Sequence, residues 1–282
     1  MTNAAGDHGT VGDDGTAGEP TAVVRVATRD RVATITIDRP EVRNALSSAV
    51  LGGLAVAVQA CEADPEVDVM ILTGADPAFC AGLDLAELAA GQLELAFVVA
   101  RDAPPWEQGP LPPRDKPLIG AVNGAAVTGG LELALLCDFL VASDRARFAD
   151  THSRVGILPG WGLTVLLPQA VGLRRAREMS ATGNYVDAAT ALEWGLVNHV
   201  VPHDELLEFC GQLAGDICSN DSAAVQRLFR SYAEGARVSG AEAWAIEADA
   251  GREWRRGGGG SLDEVDRRRR EVIDRGRSQS SD

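Results

Sequence analysis

Apolar and polar positions alternate over Ala22–Ala27 and Arg31–Ile37, which predicts two paired strands joined through Thr28-Arg29-Asp30. A loop from Asp38 to Asn44 leads to a segment, Ser47 to Ala63, in which Leu51, Leu54, Val58 and Cys61 recur at spacings of three and four. That period predicts an amphipathic helix. Two uninterrupted apolar runs, Val67–Thr73 and Pro117–Val122, read as buried strands, and shorter strands are expected at Phe139–Ala142 and Ala146–Phe148. Helices are expected from Leu85 and over about Gly130–Cys137. From Gly160 onward the pattern is helical, with segments near 162–170, 173–181, 187–193, 203–218, 222–235, 239–255 and 262–275. The front half is thus α/β with a recurring strand-strand-helix rhythm, and the back half is a helical tail. Residues 101–115, Pro-rich and holding Trp106, read as an irregular surface segment.

Each buried run is followed by a stretch of small residues where strand gives way to helix: Phe79-Cys80-Ala81-Gly82-Leu83-Asp84, and Asn123-Gly124-Ala125-Ala126-Val127-Thr128-Gly129-Gly130-Leu131-Glu132-Leu133. The first amides of a helix have no intrahelical partner. Two such turns aimed at one point would supply paired donors for a developing oxyanion, and Glu132 lies just beyond the second. Small residues also permit ordinary strand–helix packing, so either turn alone carries little weight. Together they suggest chemistry on a carbonyl.

Composition narrows the classes. A formal net charge of −15 argues against a general nucleic-acid binder. No apolar run approaches the ~20 residues that span a membrane, so no membrane partner is expected. Met1–Pro20 has neither a basic nor an apolar signal region and reads as a disordered tail. Five widely spaced cysteines without a C-x-x-C and four unclustered histidines suggest reduced thiols, no metal site and a cytoplasmic location. The basic run Arg267–Arg270 reads as a solvated helix face, or else as a contact with ligand phosphate or a neighbouring subunit.

Arg43-Asn44-Ala45-Leu46, Phe79-Cys80-Ala81-Gly82-Leu83-Asp84-Leu85, Gly129-Gly130-Leu131-Glu132-Leu133 and Cys137-Asp138, in this order, resemble the crotonase superfamily, the enoyl-CoA hydratase/isomerase family. Gly156-Ile157-Leu158-Pro159-Gly160, Val171-Gly172-Leu173 and Leu192-Glu193-Trp194-Gly195-Leu196-Val197-Asn198 are similar to later landmarks of that family. The resemblance implies a crotonase-like α/β spiral of ββα units over about 21–200, a helical trimerisation region over 201–275, and a short tail over 276–282. It further implies an acyl-CoA substrate, with coenzyme A as part of the substrate and no separate cofactor, and a homotrimer or dimer of trimers.

Carried over position by position, the resemblance places oxyanion-hole N–H groups on Leu83 and Gly129. Arg43, Ala45, Ala81, Gly82, Asp84, Leu85, Thr151 and Gly160 fall where relatives contact substrate or CoA. Asp84 is expected to cap the helix at Leu85. Hydratases of the family usually present two glutamates; Glu132 matches the first, whereas His152 stands at the second. A neutral imidazole accepts a proton near pH 7, and Asp150 is placed to orient the ring if this piece is extended. Three activities follow: hydration shared by Glu132 and His152, double-bond isomerisation by Glu132 alone, or acyl-CoA binding with little turnover. Thioester hydrolysis would reuse the same oxyanion hole. Trp106, Leu158 and Trp161 are the candidate walls of the acyl site; Trp161 either packs beneath the following helix or flattens that site.

Overall fold

A computed structural model describes residues 23–91, 93 and 109–257; Trp106, Arg267–Arg270 and both expected tails lie outside these residues. The chain opens with β1 (Val24–Arg29) and β2 (Val32–Ile37), antiparallel with Arg29 opposite Val32. The turn is therefore Asp30-Arg31, both at positive φ, two residues later than the alternation predicts. Left-handed φ at both central residues matches the twist of a two-residue hairpin, and Arg31 is further held by its side-chain bond to Asp68. Helix α1 (Ser48–Ala63) follows, with the Ser47 hydroxyl accepting from Val50 N–H as its cap.

Three strand-strand-helix units come next. β3 (Val69–Gly74), β4 (Ala78–Cys80) and α2 (Leu85–Ala89) form the first. β5 (Leu118–Val122), β6 (Ala125–Val127) and α3 (Gly129–Leu135) form the second. β7 (Phe139–Ser143), β8 (Arg147–Ala149) and α4 (His152–Val155) form the third. After α5 (Leu163–Val171) and α6 (Leu173–Thr182) come β9 (Val186–Asp187), α7 (Ala188–Trp194) and β10 (His199–Val201). Helices α8 (Leu206–Cys218), α9 (Ser222–Gly235) and α10 (Gly240–Arg256) complete the described chain.

The first strand of each unit joins a six-stranded sheet of order β1-β2-β3-β5-β7-β10, and the second joins a four-stranded sheet of order β4-β6-β8-β9. The rhythm in the sequence is thus a spiral that deposits one strand in each sheet per turn. Strands β3 and β5 are buried throughout because both faces of the large sheet are covered. Met70, Leu72, Leu118 and Val122 face the core shared with α1 and α3, whereas Val69, Ile71, Ile119 and Ala121 face Leu206, Cys210 and Ala214 of α8. An uninterrupted apolar run is what this two-sided burial requires.

Candidate active site

The small sheet assembles the site. β4 pairs β6 in parallel, with Ala78 beside Ala125 and Cys80 beside Ala126. β6 pairs β8 in parallel, with Val127 beside Ala149. The segments after the carboxyl ends of these strands, 81–84, 128–132 and 150–152, therefore emerge at one edge, as ligand-binding segments of parallel sheets commonly do. The small residues of the second turn have a steric reason. A Cβ on Gly130 would lie 2.1 Å from the Cys80 carbonyl oxygen, so only glycine lets α3 start this close to β4.

Leu83 and Gly129 are neighbours in space. A methyl group on Gly129 would lie 3.6 Å from the Leu83 nitrogen, and one on Gly82 would lie 3.3 Å from the Gly129 nitrogen. Leu83 forms a parallel bridge with Leu46 that uses Leu46 N–H to Gly82 O and Asp84 N–H to Leu46 O. In that pattern the Leu83 amide points to the opposite side. Gly129 is the first residue of α3, so its amide has no intrahelical acceptor. Thr128 before it has φ 55° and ψ −113°, a conformation that costs a β-branched residue about 1–3 kcal/mol.

A cavity of about 280 Å³ opens on this edge, lined by Ala45, Ala81, Leu83, Asp84, Leu85, Thr128 and Thr151 together with Val42, Val155 and Ile157. Asp84 caps α2 by accepting from Ala86 and Glu87 N–H and pairs with Arg39 at 3.0 Å. Burial alone would raise its carboxyl; the bonds from Arg39 and the two amides hold it below the usual range. Sequence reasoning passed over Arg39, whose guanidinium also donates to Ala45 O and so ties the Asn44–Leu46 loop to the cavity wall. Arg43 is exposed at φ 55° and is absent from that wall. Gly160 donates its amide to Glu132 Oε1 at 3.2 Å. Leu158 is 90% exposed.

Glu132 and His152 meet. Glu132 Oε1 also accepts Trp161 N–H at 2.7 Å, which leaves Oε2 turned toward His152 Nε2 at 3.4 Å. His152 Nδ1 lies 2.6 Å from Asp150 Oδ1, and the same oxygen accepts His152 N–H at 3.2 Å. The piece is not extended: His152 is the first residue of a four-residue helix, and the turn at Thr151 brings Asp150 under the ring. All three side chains are buried, with Glu132 2% and His152 5% exposed. Burial of the ring works against its charge, but the hydrogen bonds to Asp150 and Glu132 and their negative charges outweigh it, raising the His152 pKa to about 9. Burial likewise pushes the Asp150 carboxyl up, and bonds from His152 and Ser180 bring it below the usual range. The contacts with Asp150 and Glu132 thus favour the protonated ring, in which both nitrogens are donors, over the neutral imidazole. The pattern showed His152 and Asp150 but not the contact with Glu132, twenty residues earlier in the chain, that adds to the pull on the ring's proton.

Trp161 is buried in the main core, and its Cζ3 would lie 3.2 Å from a methyl on Gly129. It packs against the turn at Gly129 and also supplies the amide that fixes Glu132. Among the described residues there is no group of three His, Cys, Asp or Glu side chains placed to hold a metal ion, and no helix long and apolar enough to cross a membrane.

A family model described as enoyl-CoA hydratase/isomerase matches residues 27–254. A probable peroxisomal enoyl-CoA hydratase 1 of Arabidopsis thaliana is 39% identical over 218 residues, covering 77% of this chain and 81% of the relative. The 2,3-dehydroadipyl-CoA hydratase of Escherichia coli is 37% identical, covering 76% of this chain and 83% of the relative. Among solved structures, an enoyl-CoA hydratase from Mycobacterium smegmatis aligns at 49% identity and a TM-score of 0.68, over 83% of this chain and 99% of that one. A probable enoyl-CoA hydratase/isomerase from Mycobacterium abscessus aligns at 30% identity and a TM-score of 0.76, over 89% and 95%.

Proposed function

Because this chain belongs to the enoyl-CoA hydratase/isomerase family, we propose that it is an enzyme that hydrates the double bond of a 2-enoyl-CoA thioester. The observation that carries this reading is the buried Asp150–His152–Glu132 array, with 2.6 Å and 3.4 Å between successive partners. It sets an acid beside a base, as water addition requires. The thioester oxygen lies between the N–H groups of Leu83 and Gly129. Water, held by Glu132 Oε2, gives that carboxylate a proton as its oxygen bonds to C3. The electron pair of the double bond moves onto the thioester oxygen as an enolate, and the two amides stabilise it; one such donor is worth about 10²- to 10³-fold in rate. The His152 imidazolium then protonates C2 and the carbonyl re-forms. A proton hop from Glu132 to His152 across their contact restores the starting charges, so the pair is regenerated without outside help.

Ala45, Ala81, Gly82, Asp84, Leu85 and Thr151 form or border the cavity in which the acyl-CoA binds, and Arg43, at the exposed end of the same loop, is placed for a CoA phosphate. Exposed apolar residues of α9 support assembly as a homotrimer or a dimer of trimers. One observation favours a second reading. Glu132 is almost sealed from solvent, which suits proton transfer between two carbons of a bound acyl-CoA, an isomerisation that needs no water. Incubating the purified protein with a short or medium trans-2-enoyl-CoA tests both. Loss of the conjugated absorbance with formation of a 3-hydroxyacyl-CoA is expected, and Glu132→Gln is expected to lower the rate at least about 10²-fold. A shifted double bond as the sole product would establish isomerisation instead. Acyl-CoA binding without turnover at any chain length would overturn both in favour of a binding protein.

A further inference from the structure

Resting on the site reading above, we propose that the hydroxyls of Thr128 and Thr151 form a clamp that locks the oxyanion turn to the acid/base turn, making both threonines positioning residues. Each is the residue that begins a helix, Thr128 for α3 and Thr151 for α4, where a threonine hydroxyl ordinarily accepts from an amide of the first turn. Neither makes such a bond. Instead the two oxygens lie 2.5 Å apart, across 23 residues of sequence. Two capping positions that both forgo their caps to bond each other indicate a demand on geometry that outweighs local helix stability.

The backbone of Thr128 points the same way. Its φ of 55° and ψ of −113° suit glycine, yet a β-branched residue occupies the position. Thr128 N–H donates to Ala149 O at 2.9 Å, and Thr128 O accepts Glu132 N–H at 3.0 Å. With the hydroxyl added, the residue is held from the β8 side, from α3 and from Thr151 at once. The next amide along is that of Gly129, and the next side chain after Thr151 is that of His152. The clamp therefore fixes the distance between the enolate donor and the proton donor, which must both act on one thioester. Both threonines line the 280 Å³ cavity, so the clamp is also part of its wall.

The test pairs kinetics with hydrogen exchange. Thr128→Val and Thr151→Val keep shape and branching but remove one hydroxyl each. Each is expected to lower kcat by about 3- to 10-fold, the value of one hydrogen bond, with KM changed less than about twofold. The double variant should fall no further than either single, because the two hydroxyls make one interaction. Thr128→Ser should restore kcat. Multiplying effects, or singles with wild-type kcat, would overturn the proposal. Hydrogen exchange on the ligand-free protein decides the same question independently of turnover. Thr128→Val should speed exchange in residues 150–156, and Thr151→Val should speed it in 128–133; effects confined to the substituted segment would overturn the clamp. If the wild type hydrates nothing, the functional reading falls while the exchange result still decides the clamp. Should Thr128→Val fail to fold, Thr128→Gly, which relaxes the backbone, carries the same arms.

Discussion

His152 is the residue at which this site departs most from a pair of glutamates, and its charge makes pH the sharpest probe. The ring releases its proton near 6.5 in an unfolded chain and near 9 in the fold. The folded state therefore holds that proton more tightly, and the stability this gives is complete below about 6.5 and is lost as pH rises through about 9. Denaturant titrations at about pH 6 and about pH 9.5 should show a fall that His152→Gln largely abolishes. The hydration rate should decline over the same alkaline range as the acid loses its proton. Asp150→Asn removes a charge that favours the imidazolium, and the alkaline limb should move to lower pH by about one unit or more. His152→Ala with unchanged hydration would refute the shared mechanism.

At the scale of elements, the decisive contact is the passage of α3 over β4. Gly130→Ala places a methyl 2.1 Å from the Cys80 carbonyl, and either the helix or the strand must move. We expect a loss of about 1–3 kcal/mol, read as a fall in Tm of about 2–10 °C, with kcat reduced as well because the same shift displaces Gly129. The elements themselves were largely legible: the run Val67–Thr73 became β3 at Val69–Gly74, and the period of three and four became α1 at Ser48–Ala63. The three-residue strands β4 (Ala-Phe-Cys) and β6 (Ala-Ala-Val) lie inside stretches whose pattern predicts turns, because so short a strand carries no period of its own. Their pairing is non-local, and that pairing alone brings 81–84 beside 128–132. Residues of the site were therefore readable one at a time, from the ordered motifs, while the contacts between them were not. The Glu132 anchor is the clearest case, since it is made by the backbone amides of Gly160 and Trp161, and no side-chain pattern reports where an amide points.

For the whole molecule, α9 carries an apolar surface that is exposed among the described residues. Leu228 and Tyr232, one helical turn apart, are 57% and 73% exposed, and they border an apolar groove of about 900 Å³ between α9 and α10. Exposed apolar residues gathered at one groove mark a candidate association site. Sedimentation is expected to give three or six times the mass of the chain, and Leu228→Glu combined with Tyr232→Glu to shift it toward one. Glu132 and His152 are buried, so their protons are expected to exchange with solvent slowly and the enzyme to keep an isotopic memory of its last substrate. A 3-hydroxyacyl-CoA deuterated at C2 hands its label to His152 on dehydration, and on the return step a fraction of that deuterium should reappear at C2 rather than wash out. Mass spectrometry of substrate recovered short of equilibrium measures that fraction. Complete loss of label in a single round trip would show that solvent reaches the pair faster than the substrate turns around.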